Sequence, residues 1–129
     1  MSIPSSFSKL PAPPYYAVIF SSRRTEGENG YADASDRMAE LAATQPGFLG
    51  AESARGTDGF GITVSYWDSI ESISKWRAHL EHRAAQENGK SIWYEHYEVR
   101  ISRVERSYGK RPAAAATLEN ASSSSMPVT

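Results

Sequence analysis

Two histidines of this chain stand at the spacing that makes side chains neighbours on a helix. His79 and His82 are three residues apart, so a helix would place them on one face. A neutral imidazole near pH 7 can accept a proton from a phenol or a hydroquinone. The apolar stripe of this helix predicts His82 at the surface and His79 at the rim of a pocket between helix and sheet. His79 is the candidate base, with a structural hydrogen bond to a neighbouring loop as the alternative.

Other kinds of chemistry find little support in the sequence. Cysteine is absent, which excludes disulfides, thiolate metal sites and cysteine nucleophiles. The two helical histidines have no third histidine or well-placed acid nearby, so we predict no metal site. The GENG segment at 27–30 is too short and wrongly placed for a phosphate cradle. No serine, histidine and acid stand in the context of a hydrolase motif.

Aromatic and cationic side chains near the candidate base could hold an aromatic ligand. Trp67 and Trp76 offer flat walls, although tryptophan most often fills a core. The hydroxyl of Tyr66 could hold a phenolic oxygen or lie at the surface. Arg23 follows the first apolar run, where it is either a solvated loop residue or a group that stabilises an enolate or phenolate anion.

Changes of hydrophobic period predict the elements that position these residues. Turn residues at 56–59 favour a hairpin, and Asp68 or Ser69 can cap the second helix. The predicted elements, in order, are a strand at 15–20, a helix from 31 closed by Gly47, strands at 48–55 and 60–67, a helix closed by Gly89, and a strand at 93–106. The order β-α-β-β-α-β predicts an α+β, ferredoxin-like fold: a four-stranded antiparallel sheet with two helices on one face.

The two ends of the chain differ in composition from its middle. Residues 1–14 carry several prolines and are expected to form a flexible lead-in. Residues 109–129 are rich in Ala and Ser and are expected to form a disordered tail. One folded domain at 15–108 remains. The start has no secretory pattern and no run reaches about 20 apolar residues, so we expect a cytoplasmic protein without a membrane partner.

Charge and strand composition bear on partners. The formal net charge is −1, so the chain lacks the basic excess that nucleic acid binding requires. Apolar and aromatic residues occur on both faces of the predicted strands, whereas the helices cover only one face. A second copy of the sheet is the simplest cover for the other face, so we predict a homodimer.

Four segments of the sequence resemble the antibiotic biosynthesis monooxygenase family. They are QPGFLGAES before and in the second strand, ITVSYWDS at the end of the third, KWRAHLEH in the second helix and WYEHYEVRISRVER in the last strand. The resemblance covers about residues 15–108 and implies a dimeric α+β barrel. It also implies that Trp76 corresponds to the helix tryptophan that lines the cavity in family members.

The resemblance leaves more than one function open. Some members are cofactor-independent oxygenases that oxidise phenolic polyketides or quinols with O2. On that basis we predict a monooxygenase-type protein without a cofactor that acts on an aromatic or quinol-like small molecule. His79 and Trp76 are the catalytic candidates, and Tyr66, Trp67 and Arg23 are the substrate-binding ones. The alternatives are a non-catalytic small-molecule-binding or accessory protein, and a haem-binding protein.

Haem is disfavoured by two departures from the family pattern. In the haem-degrading branch, the iron ligand is a histidine ten residues after the helix tryptophan. That position is Gln86 here, which is not a usual axial ligand. The asparagine that this branch carries in its first strand has no counterpart in YYAVIFSS. Haem degradation is therefore not expected.

Overall fold

The structure is a computed structural model that describes residues 6–27, 30–87 and 93–112, without the side chains of residues 82–87. Its elements are β1 (Tyr15–Arg24), α1 (Tyr31–Ala43), β2 (Phe48–Arg55), β3 (Phe60–Trp67), α2 (Ile70–Glu87) and β4 (Tyr94–Val104). The strands form one sheet in the order β2-β3-β1-β4, and every neighbouring pair is antiparallel. The predicted β-α-β-β-α-β fold is confirmed.

The first strand is longer than its sequence indicated. The polar residues after Phe20 were expected to form a loop, but β1 continues to Arg24. Ser22 pairs with Gly61 of β3 and Tyr97 of β4, so backbone pairing on both sides holds these polar residues in the sheet. The expectation that Arg23 lies in a loop was wrong.

The helix-facing side of the sheet carries the core. Tyr16 pairs with Trp67 across β1 and β3, and residues paired across an antiparallel sheet point to the same side. The buried cluster consists of Ala42, Trp67, Ile73 and Trp76, and it is packed against by Tyr16, Val18, Met38, Leu41, Phe48 and Leu80. This cluster joins both helices to the sheet.

The second helix begins at one of the two predicted caps. The backbone N–H of Ser72 donates to Oγ of Ser69 at 3.1 Å, which satisfies one of the free donors of the first turn. The buried line of α2 runs through Ile73, Trp76 and Leu80. Arg77, which follows Trp76 in the sequence, has a side chain that is 75% exposed. The helix thus turns its Trp76 side towards the sheet.

The opposite face of the sheet is partly open. Phe60 and Ile62 of β3 lie there and remain 42% and 41% exposed. At the other end of this face Ser8 of the lead-in contacts β2. Its Oγ donates to the carbonyl of Ala51 at 2.8 Å, and its N–H donates to Oε2 of Glu52 at 3.0 Å.

Substitutions at two glycines test how closely α2 packs against the residues before β2. Gly47 and Gly30 both have positive φ, but a Cβ at Gly47 would lie 2.1 Å from Oγ of Ser72, whereas one at Gly30 meets no atom of the described residues within 4 Å. Gly30→Ala therefore adds only backbone strain, and we expect it to lower the free energy of unfolding by about 1 kcal/mol. Gly47→Ala adds a clash with α2, and we expect a loss of about 3 kcal/mol. Urea unfolding measures both, and equal losses would contradict this account of the contact.

Candidate functional site

Three of the predicted site residues form one continuous stack between α2 and the sheet. The rings of Trp67 and Trp76 lie 6.0 Å apart at an interplanar angle of 29°. The imidazole of His79 lies 5.8 Å from Trp76 at 13°. Trp67 is fully buried and Trp76 nearly so. The strand and the helix thus bring Trp67, Trp76 and His79 together.

One nitrogen of this stack lacks a partner. Nε2 of His79 is buried and has no hydrogen bond among the residues that the structure describes, whereas the side chain as a whole is only half-buried. An unsatisfied buried polar atom costs about 1–3 kcal/mol. That cost is smallest when Nε2 is the unprotonated nitrogen, because a bare lone pair needs no acceptor. His79 then carries a proton acceptor that points into the protein.

The surface of the sheet beside this stack carries hydroxyl groups, although it faces the helices. We call this surface the floor of the candidate site. Trp67 donates from Nε1 to Oγ of Ser65 at 2.9 Å. Further along, the hydroxyls of Thr63 and Ser53 lie 2.8 Å apart and share a hydrogen bond. Ser65 pairs with Val18 and Thr63 with Phe20, so hydroxyls and apolar side chains alternate across this floor. Such a surface can bind a flat ring and form hydrogen bonds with the oxygen atoms of that ring.

A second aromatic group lies at the far end of the same side. The guanidinium of Arg24 lies 3.7 Å from the centroid of the Tyr31 ring, and that of Arg55 lies 5.9 Å from it. The hydroxyls of Tyr94 and Tyr31 are 3.5 Å apart. Phe20 packs against Tyr94 at 5.3 Å. Sequence reasoning assigned no site role to Tyr31 or Arg55, and it ended β1 too early to place Arg24 on the helix-facing side by alternation.

Tyr66 lies on the opposite face of the sheet from the stack. Its hydroxyl donates to Oε1 of Glu52 at 2.8 Å, and its ring meets Tyr15 edge to face at 5.7 Å. Burial, with the Glu52 carboxylate beside it, raises the pKa of Tyr66 to about 12. Adjacent residues of a strand point to opposite sides, so Tyr66 cannot share a cavity wall with Trp67.

Arg23 also lies on the open face. Its Nη1 donates to the carbonyl of Asp58 at 3.1 Å, and its Cζ lies 5.5 Å from the ring centroid of Phe60. The carboxylates of Asp58 and Glu95 lie 3.7 and 3.9 Å away. The structure therefore does not bring Arg23 to His79.

Two predictions concern side chains outside the described residues. They are the surface position of His82 and the place of Gln86 where the haem-degrading branch has a histidine. In the part of the chain that the structure describes, no group of three or more His, Asp or Glu side chains could hold a metal. No helix among the described residues is long and apolar enough to cross a membrane.

Comparison with known proteins gives one family and one fold. The family model for antibiotic biosynthesis monooxygenase matches residues 14–88. The chain is 61% identical to the uncharacterized protein YqjZ of Bacillus subtilis over 99 residues, which cover 77% of this chain and 87% of YqjZ.

Solved structures with the same fold have low sequence identity. A protein of Shewanella oneidensis aligns with a TM-score of 0.58 at 13% identity, covering 73% of this chain and 94% of its own. A protein of Pseudomonas aeruginosa aligns with a TM-score of 0.55 at 11% identity, covering 74% and 97%.

The Tyr66–Glu52 bond predicts how stability responds to alkaline pH. The fold raises the pKa of Tyr66 from 10.0 to about 12, so it favours the neutral phenol. The resulting stability is complete below pH 10 and is lost as the pH rises to about 12. We expect Tyr66→Phe to cost about 1 kcal/mol at pH 8, with a difference from wild type that shrinks above pH 10.

Urea unfolding at pH 8, 10 and 11 measures this difference. Tyr16→Phe is the control, since Tyr16 lies on the helix-facing side of the sheet, away from Glu52, and should follow wild type throughout. A Tyr66→Phe deficit that stays constant from pH 8 to pH 11 would count against the link between Tyr66 and Glu52.

Proposed function

This chain belongs to the antibiotic biosynthesis monooxygenase family, and we propose that it oxidises an aromatic or quinol-like small molecule with O2 and without a bound cofactor. The observation that carries the proposal is the buried, unpartnered Nε2 of His79 beside the Trp76 ring. A ligand that enters between α2 and the sheet would give this nitrogen the partner it lacks. The same ligand would lie against an aromatic wall.

The proposed reaction begins with a proton transfer. His79 takes a proton from a phenol or from the activated carbon beside it, and the substrate becomes an electron-rich anion. The anion passes one electron to O2, and the two radicals combine at carbon as a peroxide anion, which takes the proton back from His79 to become a hydroperoxide. Loss of water then leaves a carbonyl. One oxygen atom ends in the product and the other in water, and the substrate supplies all four electrons.

The protein has three tasks in this scheme. It holds the ring, keeps water away and stabilises the anion. Trp76, with the fully buried Trp67 stacked behind it, would form an apolar wall that keeps water from the anion. The hydroxyls of Ser53 and Thr63 lie on the floor, where they can donate to substrate oxygens. All of the side chains proposed for these tasks lie on the helix-facing side of the sheet.

We also propose that the protein is a homodimer that pairs through the open face. Phe60 and Ile62 are large apolar residues that stay exposed on this face, and exposed apolar patches commonly mark interfaces. The candidate site lies on the other side of the sheet, so this pairing would leave it accessible.

Oxygen uptake with substituted hydroquinones and anthrones tests the oxidation. We expect His79→Gln to lower the rate with the best substrate by about 100-fold, the range for loss of a general base. His96→Gln is the matched control, because His96 is an exposed histidine bonded to Glu98 at 2.9 Å on the other face. Its rate should equal that of wild type.

The measurement also has an outcome that contradicts the proposal. Ligands that bind the wild-type protein but give no oxygen uptake would support a binding protein instead. Full turnover by His79→Gln would remove His79 as the base.

Two exposed apolar residues on opposite faces test the dimer. Ile62→Glu places a charge on the open face, and we expect it to convert the dimer to a monomer in sedimentation velocity experiments. Val99 of β4, which is 50% exposed, lies on the helix-facing side, and Val99→Glu should leave the dimer intact. A monomeric wild-type protein at micromolar concentration, or equal effects of the two substitutions, would contradict pairing through this face.

A further inference from the structure

The ring of Tyr31 lies against two guanidinium groups. Arg24 lies 3.7 Å from its centroid and Arg55 lies 5.9 Å from it. All three side chains are half-buried, so solvent screens the two like charges less than it would at the surface. An anion near both groups would interact favourably with two positive charges.

The contacts of Arg55 leave one edge of its guanidinium available. Nη2 donates to Oγ of Ser22 at 2.8 Å, and Nη1 donates to the Ser22 carbonyl at 3.3 Å and to the carbonyl of Gly59. All three acceptors are neutral, and no carboxylate among the described residues pairs with Arg55. Of the five N–H groups of a guanidinium, the Nε–H and one Nη2–H remain. These two form the fork that binds a carboxylate with both oxygens.

Among the described residues, the surroundings of Arg55 add hydrogen-bond donors and little negative charge. Burial raises the pKa of Tyr94 well above the ordinary range, so its phenol stays neutral and donates to the hydroxyl of Tyr31, which can donate in turn. Tyr31 is the first residue of α1, and the start of a helix carries partial positive charge. Asp33 in that first turn is exposed, which weakens its effect on the arginine pair.

We propose that Arg55, with Arg24 beside it, binds the carboxylate of an aromatic acid. This proposal rests on the proposed function, because it assigns the substrate class of that same helix-facing side. Gly61, which pairs with Arg55, and Ser65, which bonds Trp67, are four residues apart on β3. At the rise of a strand this separation is roughly 13 Å. A two- or three-ring acid spans it with its carboxylate at Arg55 and its oxidisable ring towards His79.

Anaerobic calorimetric titration separates binding from oxidation. The probes are 1-hydroxy-2-naphthoate and its carboxamide, which differ in the charge of one group. We expect the wild-type protein to bind the carboxylate at least about ten-fold more tightly than the amide, as charge-assisted hydrogen bonds to a half-buried arginine imply. Arg55→Gln should bring the ratio to about one.

Two further variants control for fold and for charge. Arg77→Gln removes an exposed arginine of α2 and should keep the wild-type ratio. Arg55→Lys keeps the charge but loses the planar fork, so the ratio should fall to about three-fold and become more sensitive to salt. This variant keeps the test decisive if Arg55→Gln does not fold.

The outcomes distinguish this proposal from the oxidation. A wild-type protein that binds neither probe, or binds both equally, overturns the carboxylate site, as does an unchanged ratio in Arg55→Gln or Arg55→Lys. His79→Gln should keep the ten-fold ratio while it loses oxygen uptake. Selective carboxylate binding by a protein that consumes no oxygen with any substrate leaves the site standing and removes the oxygenase function.

Discussion

The structure depends on the burial of Trp67 at the end of β3. This side chain has no exposed surface, and it contacts three elements. It stacks on Trp76 of α2, meets Phe48 of β2 edge to face at 5.4 Å and bonds Ser65 of its own strand. A buried tryptophan contributes several kcal/mol to stability when well packed. Because α2 is seated on this ring, the position of His79 is set by it as well.

The same packing explains why the candidate site contains an energetic defect. A helix that buries Ile73 and Trp76 also carries His79 inwards, since residues three apart are neighbours on a helix. One nitrogen is then left without a partner. An apolar residue at position 79 would avoid this cost, so stability alone does not account for the imidazole. Proteins keep such defects most often at functional sites.

Sequence reasoning predicted the architecture well and the site only in part. The strand and helix order followed from changes of period, and the Trp76–His79 pair followed from helical spacing. Tyr66 was misplaced because it was grouped with Trp67 by adjacency, although a strand sends adjacent side chains to opposite faces. The pairing of Arg55 with Arg24 was missed for a different reason. Tyr31, which joins them, comes from the start of α1, and contacts between residues so distant in sequence leave no local pattern.

The stacking of two indole rings also makes the protein its own spectroscopic probe. Trp67 and Trp76 are parallel enough and near enough, at 6.0 Å and 29°, for their electronic transitions to couple. Trp93 contacts Tyr31 instead, at the arginine end of the sheet. We therefore expect the circular dichroism of the indole transitions to contain a couplet from these two stacked rings. Any molecule that slides between α2 and the sheet changes this couplet directly, without a label and without turnover.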